Sequence, residues 1–231
     1  MKLGGLQEIS LLDYPEKICA IIWTVGCNFR CPFCYNPNLV YGKTDLLAEH
    51  EILSFLEERK GKLDALSITG GEPLLHEDIK DFITEVKEKG FLIKVDTNGT
   101  FPKRLHQLLD EELIDYVSMD VKAPSEKYHR LTGVQVDIDS IDQSIDIIMN
   151  KATEYEFKTT VIPGLLEKKD ITDIASWIKG AKRYYLQQFK INVPLIDQRL
   201  HASAKQFSKQ DFLDMKQQAE SYVESCSLRG V

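Results

Sequence analysis

The chain has 231 residues, 43% apolar and 28% charged, enough to bury one sizeable core, so a single domain over 1–231 is expected, with a core over about 14–200 and a C-terminal helix over about 208–225. Thirty-six acidic residues against 29 basic give a formal charge of -7, which repels phosphate backbones and anionic lipid, and no apolar run approaches the roughly 20 residues of a membrane helix; neither nucleic acid nor a membrane is an expected partner. The start, MKLGGLQEIS, lacks the apolar core of a signal peptide, which points to the cytoplasm, and clustering three of the five cysteines within eight residues suits a metal or cluster rather than a disulfide framework.

Residues 18–24 form a short apolar run that reads as a buried strand ending at Gly26. A helix follows over 48–59, with Ile52, Phe55 and Leu56 on one face and Gly61 placed to end it. Next come a strand at 65–69 and a helix at 77–89, whose Ile79, Phe82, Ile83 and Val86 keep the i, i+3, i+4, i+7 spacing before Gly90. Strand 91–96 leads to a helix opening near Pro102, where proline suits a first turn. Strand 114–121 is followed by a helix marked by Ile138, Ile141, Ile145 and Ile148, then by strand 157–162, which Pro163-Gly164 ends. Ile171, Ile174, Ala175 and Ile178 mark another helix, and 184–189 another strand. Six strands separated by helices predict a parallel sheet with helices outside, its strands covered on both faces. A last helix over 208–223, capped by Ser208 and Asp211 and carrying Phe212, Met215, Ala219 and Tyr222 on one stripe, is expected on the sheet's edge.

In parallel α/β folds, ligands gather at the carboxyl ends of the strands, where loops converge. The first such loop carries Cys27, Cys31 and Cys34, a C-x3-C-x2-C spacing that suits one soft metal centre. A structural zinc site needs a fourth protein ligand, and Cys19 within a strand and His50 at a helix start are poorly placed to supply it. Three cysteines around a 4Fe-4S cluster leave one iron open. Gly70-Gly71-Glu72-Pro73 allows close backbone approach to a ligand with Glu72 as acceptor, or is a plain strand-to-helix turn. Asp96-Thr97-Asn98-Gly99 also reads as an Asx-type turn, and Asp120 with Lys122 as a solvated pair. His76, His106, His129 and His201 lack the spacing of ligands or bases. Asp13 reads as a turn residue before Pro15.

The C-x3-C-x-aromatic-C spacing, with Phe33 as the aromatic, resembles the signature of the radical S-adenosylmethionine (SAM) superfamily. That resemblance implies a partial (β/α)6 barrel, matching the six strands, and a 4Fe-4S cluster on Cys27, Cys31 and Cys34 whose open iron SAM chelates. It implies SAM contacts from Gly70, Gly71 and Glu72, which resemble a GGEP motif; from Thr97 and Asn98, in a DTNG-like element; from Lys122 near the SAM carboxylate; and from Lys158 as a basic group. Asp96 and Asp120 are implied to share a monovalent cation.

Segment 5–15, the cysteine loop and the stretch 184–189 together resemble glycyl-radical enzyme activases, in particular anaerobic ribonucleoside-triphosphate reductase activating proteins and pyruvate formate-lyase activating enzyme. This implies an oxidoreductase that cleaves SAM reductively and takes a hydrogen from a glycine Cα of a partner, expected to be anaerobic ribonucleotide reductase, with electrons from a flavodoxin or a ferredoxin-type donor. No catalytic side chain is implied beyond the cluster and SAM, except that Asp13 would lie near the substrate. The chain departs from the pattern at Tyr35, where activases have His, and at Glu16, where they have Gly. The alternatives are a radical SAM enzyme acting on a small molecule or another peptide, and a non-enzymatic zinc or electron-transfer module.

Overall fold

The computed structural model describes residues 1–191, 193–200 and 206–231; His201 lies outside them. Among the described residues eight strands form one sheet in sequential order. β1 (Leu3–Ser10) runs antiparallel to β2 (Cys19–Thr24), and the remaining neighbours pair in parallel: β3 (Ala65–Gly70), β4 (Leu92–Thr97), β5 (Tyr116–Asp120), β6 (Glu154–Val161), β7 (Tyr184–Gln188) and β8 (Cys226–Arg229). Among the described residues β1 and β8 are open edges, so the sheet is a partial barrel whose β2–β7 occupy the six predicted positions. The helices are α1 (Pro37–Tyr41), α2 (Glu49–Glu58), α3 (Ile79–Glu88), α4 (Pro102–Asp110), α5 (Tyr128–Thr132), α6 (Ile138–Lys151), α7 (Lys168–Trp177) and α8 (Lys209–Ala219). None of the helices described is long and apolar enough to cross a membrane.

A strand's period of two separates the faces of this sheet. Ile22, Leu66, Ile68, Ile93, Val95, Val117, Met119, Phe157 and Leu186 are buried in one apolar core with the helix residues Ile52, Leu56, Ile79, Phe82, Ile83, Val86, Leu105, Ile141, Ile148, Ile171 and Ile174. Each such side chain contributes about 1.5–3 kcal/mol by leaving water. The alternate positions carry Lys94, Asp96, Glu156, Lys158, Gln187 and Arg229, which line a cavity. Cover on both faces, expected from the parallel topology, is therefore not what forms: helices cover the apolar face, and the polar face surrounds open space. Toward the amino ends of the strands this interior is closed by a small cluster of Tyr14, Cys19, Ile21, Ala65 and Tyr116.

Two strands escape the sequence pattern. β1 holds Gly4 and Gly5, and a Cβ on Gly4 would lie 2.6 Å from the Val25 side chain, so packing forbids the apolar residue that would reveal the strand. β8 is four residues long, and it takes the sheet edge expected for the last helix. That helix ends at Ala219 instead of continuing to 223–225 and packs on α7 and β8. Its cap is as expected: the Asp211 N–H donates to Ser208 Oγ at 3.1 Å, and the Ser208 N–H to the Asp211 carboxylate at 2.9 Å. β8 is tied inward by Arg229, which donates to both oxygens of buried Glu156 at 2.7 and 2.8 Å. The same carboxylate accepts the Tyr116 and Ser118 hydroxyls, each at 2.9 Å.

Glu16 has φ +60°, a left-handed conformation that glycine adopts without steric cost. The departure from Gly at this position therefore changes the residue type but keeps a glycine-like turn.

Candidate active site

The loops after β2, β3, β4 and β5 converge at one end of the polar face. Cys27, Cys31, Cys34, Gly70, Gly71, Glu72, Asp96, Thr97, Asn98, Asp120, Lys122 and Lys158 all line one cavity of about 240 Å³. Asp13 is not among them. It lines an adjoining cavity of about 460 Å³ with Leu12, Lys94, Glu156 and Arg229, and the two spaces share Asp96, Lys158 and Gln187. The Ser10 hydroxyl donates to the Asp13 carboxylate at 2.5 Å and accepts the Leu12 and Asp13 N–H groups at 3.1 and 3.3 Å, which folds this loop over the second cavity.

The glycine pair does its local work against protein. A Cβ on Gly70 would lie 2.4 Å from the Thr24 nitrogen, and one on Gly71 1.9 Å from the Gly26 carbonyl oxygen. Side chains there would push apart the two loops that the Gly71 and Glu72 N–H groups join, through bonds of 2.9 Å each to Thr24 and Gly26. Glu72 is buried and accepts the Leu74 N–H at 3.0 Å, the Thr97 hydroxyl at 2.8 Å and the Asn98 N–H at 2.7 Å. Burial outweighs these donors and pushes its carboxyl up to about 7. The Asn98 side chain in turn donates to Asn28 Oδ1 at 2.9 Å, and Asn28 donates to the Thr100 hydroxyl at 2.8 Å. Asn28 thus links the cysteine loop to the loop after β4. In the sequence it is only a polar residue beside Cys27, because its partners lie about 70 positions away.

Burial pushes the Cys27 thiol up to about 11 and Cys31 up to about 12, and also raises Cys34, while nearby Lys122 opposes each rise. Two sulfurs have backbone donors, Phe29 N–H to Cys27 at 3.4 Å and Asn36 N–H to Cys34 at 3.5 Å. Among the described residues no three His, Cys, Asp or Glu side chains are grouped to hold a metal ion. Three sulfurs lining one cavity, with amide donors and an ammonium to temper their charge, suit an iron–sulfur cluster better than a lone ion.

Tyr35, next to Cys34, fastens the cysteine loop to the segment after β7. Its hydroxyl accepts the Lys190 N–H at 2.8 Å and its ring stacks on Phe189 with centroids 6.0 Å apart. The Asp197 N–H adds a bond to the Pro32 carbonyl at 2.8 Å.

The ionic groups form an alternating chain. Lys94 lies 2.7 Å and Lys158 3.3 Å from Asp96; Lys158 lies 3.6 Å and Lys122 3.0 Å from Asp120. Burial penalises both carboxylates, yet Lys158 and Lys94 hold Asp96 well below the usual carboxylate range, and Lys122 with Lys158 lowers Asp120. Burial likewise opposes the charge on Lys122, but Asp120 and then Cys31 outweigh it and raise its pKa.

Comparison with known proteins agrees with this arrangement. Residues 21–178 match the Radical SAM superfamily. A protein of Methanocaldococcus jannaschii named as a glycyl-radical enzyme activating enzyme is 35% identical over 193 residues, 81% of this chain and 80% of that protein. A GTP 3',8-cyclase of Aquifex aeolicus is 29% identical over 176 residues, 73% of this chain and 55% of the cyclase. A domain of pyruvate-formate lyase-activating enzyme from Bacteroides vulgatus has a similar fold, with a TM-score of 0.58 and 18% identity over 72% of this chain and 99% of that one. The matched region spans β2 to the end of α7 and includes all three cysteines, and membership implies a 4Fe-4S cluster and SAM as cofactors. The chain belongs to the radical SAM superfamily.

Proposed function

We propose that this radical SAM enzyme is a glycyl-radical enzyme activase. Cys27, Cys31 and Cys34 hold the cluster, and SAM lies against Gly70, Gly71, Glu72, Thr97, Asn98 and Lys122. The observation that carries the reading is the pair of joined cavities. One is lined by the three thiols, and the other is bordered by Leu12 and Asp13 and shares Asp96, Lys158 and Gln187 with the first. When bound, the cluster and SAM supply a 5′-deoxyadenosyl radical by one-electron reduction of the sulfonium, with methionine as coproduct. The protein's part is orientation. Glu72 holds the third loop in place and keeps acceptor capacity for the SAM ammonium, Lys122 offers its charge to the SAM carboxylate, and buried Phe29, Phe33 and Val40 give the cavity an apolar wall.

A protein partner is supported by two neighbouring exposed leucines at this loop: Leu12, which lines the second cavity, is 90% exposed, and Leu11 beside it 69%, an apolar pair of the kind a protein surface covers. The partner in this reading is a glycyl radical enzyme, anaerobic ribonucleotide reductase first, with a flavodoxin or ferredoxin-type donor of electrons, all in the cytoplasm and with the chain acting as one domain. Asp13 is then placed beside the partner's glycine loop. A small-molecule substrate is the second reading, favoured by the ionic lining from Lys94, Glu156 and Arg229. Coexpression with glycyl radical enzymes, followed by anaerobic reduction with SAM and EPR, separates the two. A glycyl doublet is expected; 5′-deoxyadenosine formed with no doublet on any of those enzymes would select the small-molecule reading.

A further inference from the structure

Asp120 and Lys158 are direct partners in the β5–β6 register, and Asp96 stands opposite Ser118 on the next strand. Lys158 is therefore one strand from the first carboxylate and two from the second, and its ammonium reaches both, at 3.6 and 3.3 Å. Each carboxylate has a further lysine of its own, Lys122 on Asp120 and Lys94 on Asp96. The other acid of this face, Glu156, is already paired with Arg229. Three ammoniums thus face two carboxylates, and all five side chains are largely shielded from water. A monovalent cation does not fit this arrangement. It would need the oxygens that Lys158 engages and would sit among three like charges, and among the described residues no third His, Cys, Asp or Glu completes a ligand set there.

We propose that the Lys158 ammonium replaces a monovalent cation between Asp96 and Asp120, so that this chain organises its SAM cavity with a built-in organic cation and takes up no Na⁺ or K⁺ there. Lys158 is then a positioning residue. It holds two strand ends at a fixed separation through their carboxylates, and Lys122, released from balancing Asp120 alone, retains charge for the ligand. A lysine serves this purpose where a carboxylate pair lies next to a strand offering a long, flexible cation at the same level; arginine is the one other side chain with permanent charge and comparable reach.

The proposal rests on the assignment of this cavity to SAM, and the test separates the two. SAM affinity of the cluster-loaded protein is measured in potassium, sodium and choline chlorides at equal ionic strength, and crystals soaked in Rb⁺ are examined for anomalous scattering between Asp96 and Asp120. The wild type is expected to bind SAM equally, within about twofold, in all three salts and to show no Rb⁺. Lys158→Met is expected to bind about tenfold more weakly in choline, to recover in K⁺ or Na⁺, and to show Rb⁺ between the carboxylates, while Lys158→Arg behaves as the wild type. Rb⁺ in the wild type, salt-specific SAM binding by the wild type, or a loss in a folded Lys158→Met that no alkali cation repairs overturns the proposal. A wild type that binds no SAM in any salt overturns the cavity assignment instead, and the Rb⁺ measurement still decides the cation question.

Discussion

The Glu72 carboxylate accepts the Asn98 N–H at 2.7 Å, so the loops after β3 and β4 share one buried acid. Its pKa of about 7 lies above the ordinary 4.5. Below pH 4.5 both folded and unfolded states hold the proton. Between 4.5 and 7 the unfolded chain releases it while the folded one keeps it, so this group's contribution to stability falls as pH rises and levels off above 7, a change of about 3 kcal/mol. Glu72→Gln removes that slope. Denaturation at a series of pH values should show the variant gaining on the wild type by about this amount between pH 4.5 and 7; a difference that stays flat would mean the acid is ionised throughout.

Cys27, Cys31 and Cys34 line the cavity, whereas Cys19 and Cys226 are buried within β2 and β8. Replacing any of the first three by Ala should abolish SAM cleavage and lower iron content after anaerobic reconstitution from about four per chain. The Cys19→Ala and Cys226→Ala proteins should keep iron and activity, at a stability cost of about 1 kcal/mol for the lost packing. Equal loss of iron at Cys226 would refute the assignment.

Arg229 is the cation of buried Glu156. Arg229→Ala leaves that carboxylate without its charge partner and should cost about 3 kcal/mol, the low end for a buried pair, because Arg229 is about a third exposed. Urea titration of the single variant and of Glu156→Gln/Arg229→Gln measures this. The double variant should recover a part of the loss, and no recovery would assign the effect to packing of β8.

Leu12 projects into solvent at the second cavity. Under the activase reading, Leu12→Asp should raise the KM for the partner protein about tenfold and change kcat less than about twofold, as expected for binding energy uniform along the reaction. An unchanged KM would place the docking surface elsewhere.

Glu16→Gly relieves a left-handed glutamate. The steric cost of about 1–2 kcal/mol is partly offset by the greater freedom of glycine in the unfolded chain, so a gain of about 0.5–1 kcal/mol in chemical denaturation is expected. A loss would mean that the Glu16 side chain makes a compensating contact.

The six central strands and all four loops were legible because their signals are local: β-branched runs, helix-period stripes, and a cysteine spacing confined to eight residues. What escaped depends on pairing between distant segments. β8 is too short to announce itself, and Asn28 gains meaning only from Asn98 and Thr100. Tyr35 is a similar case. Beside Cys34 it looks like a departure at the site, whereas its hydroxyl accepts a backbone N–H from residue 190. Lys158 entered only through the family resemblance, as a basic group at the site; it lines the cavity, but its position between two carboxylates is a property of sheet register.

The strands of this barrel alternate side chains that hold the helices with side chains that face the cavities, at single-residue spacing. Inherited changes of the cavity lining can therefore arise at positions such as Lys94, Gln187 or Arg229 without disturbing their apolar neighbours Ile93, Val95, Leu186 and Leu228. The ion pairs restrict that freedom: a charge lost alone strands its partner in a poorly hydrated interior, so divergence of this face should proceed by coupled replacements, acid and base exchanged together.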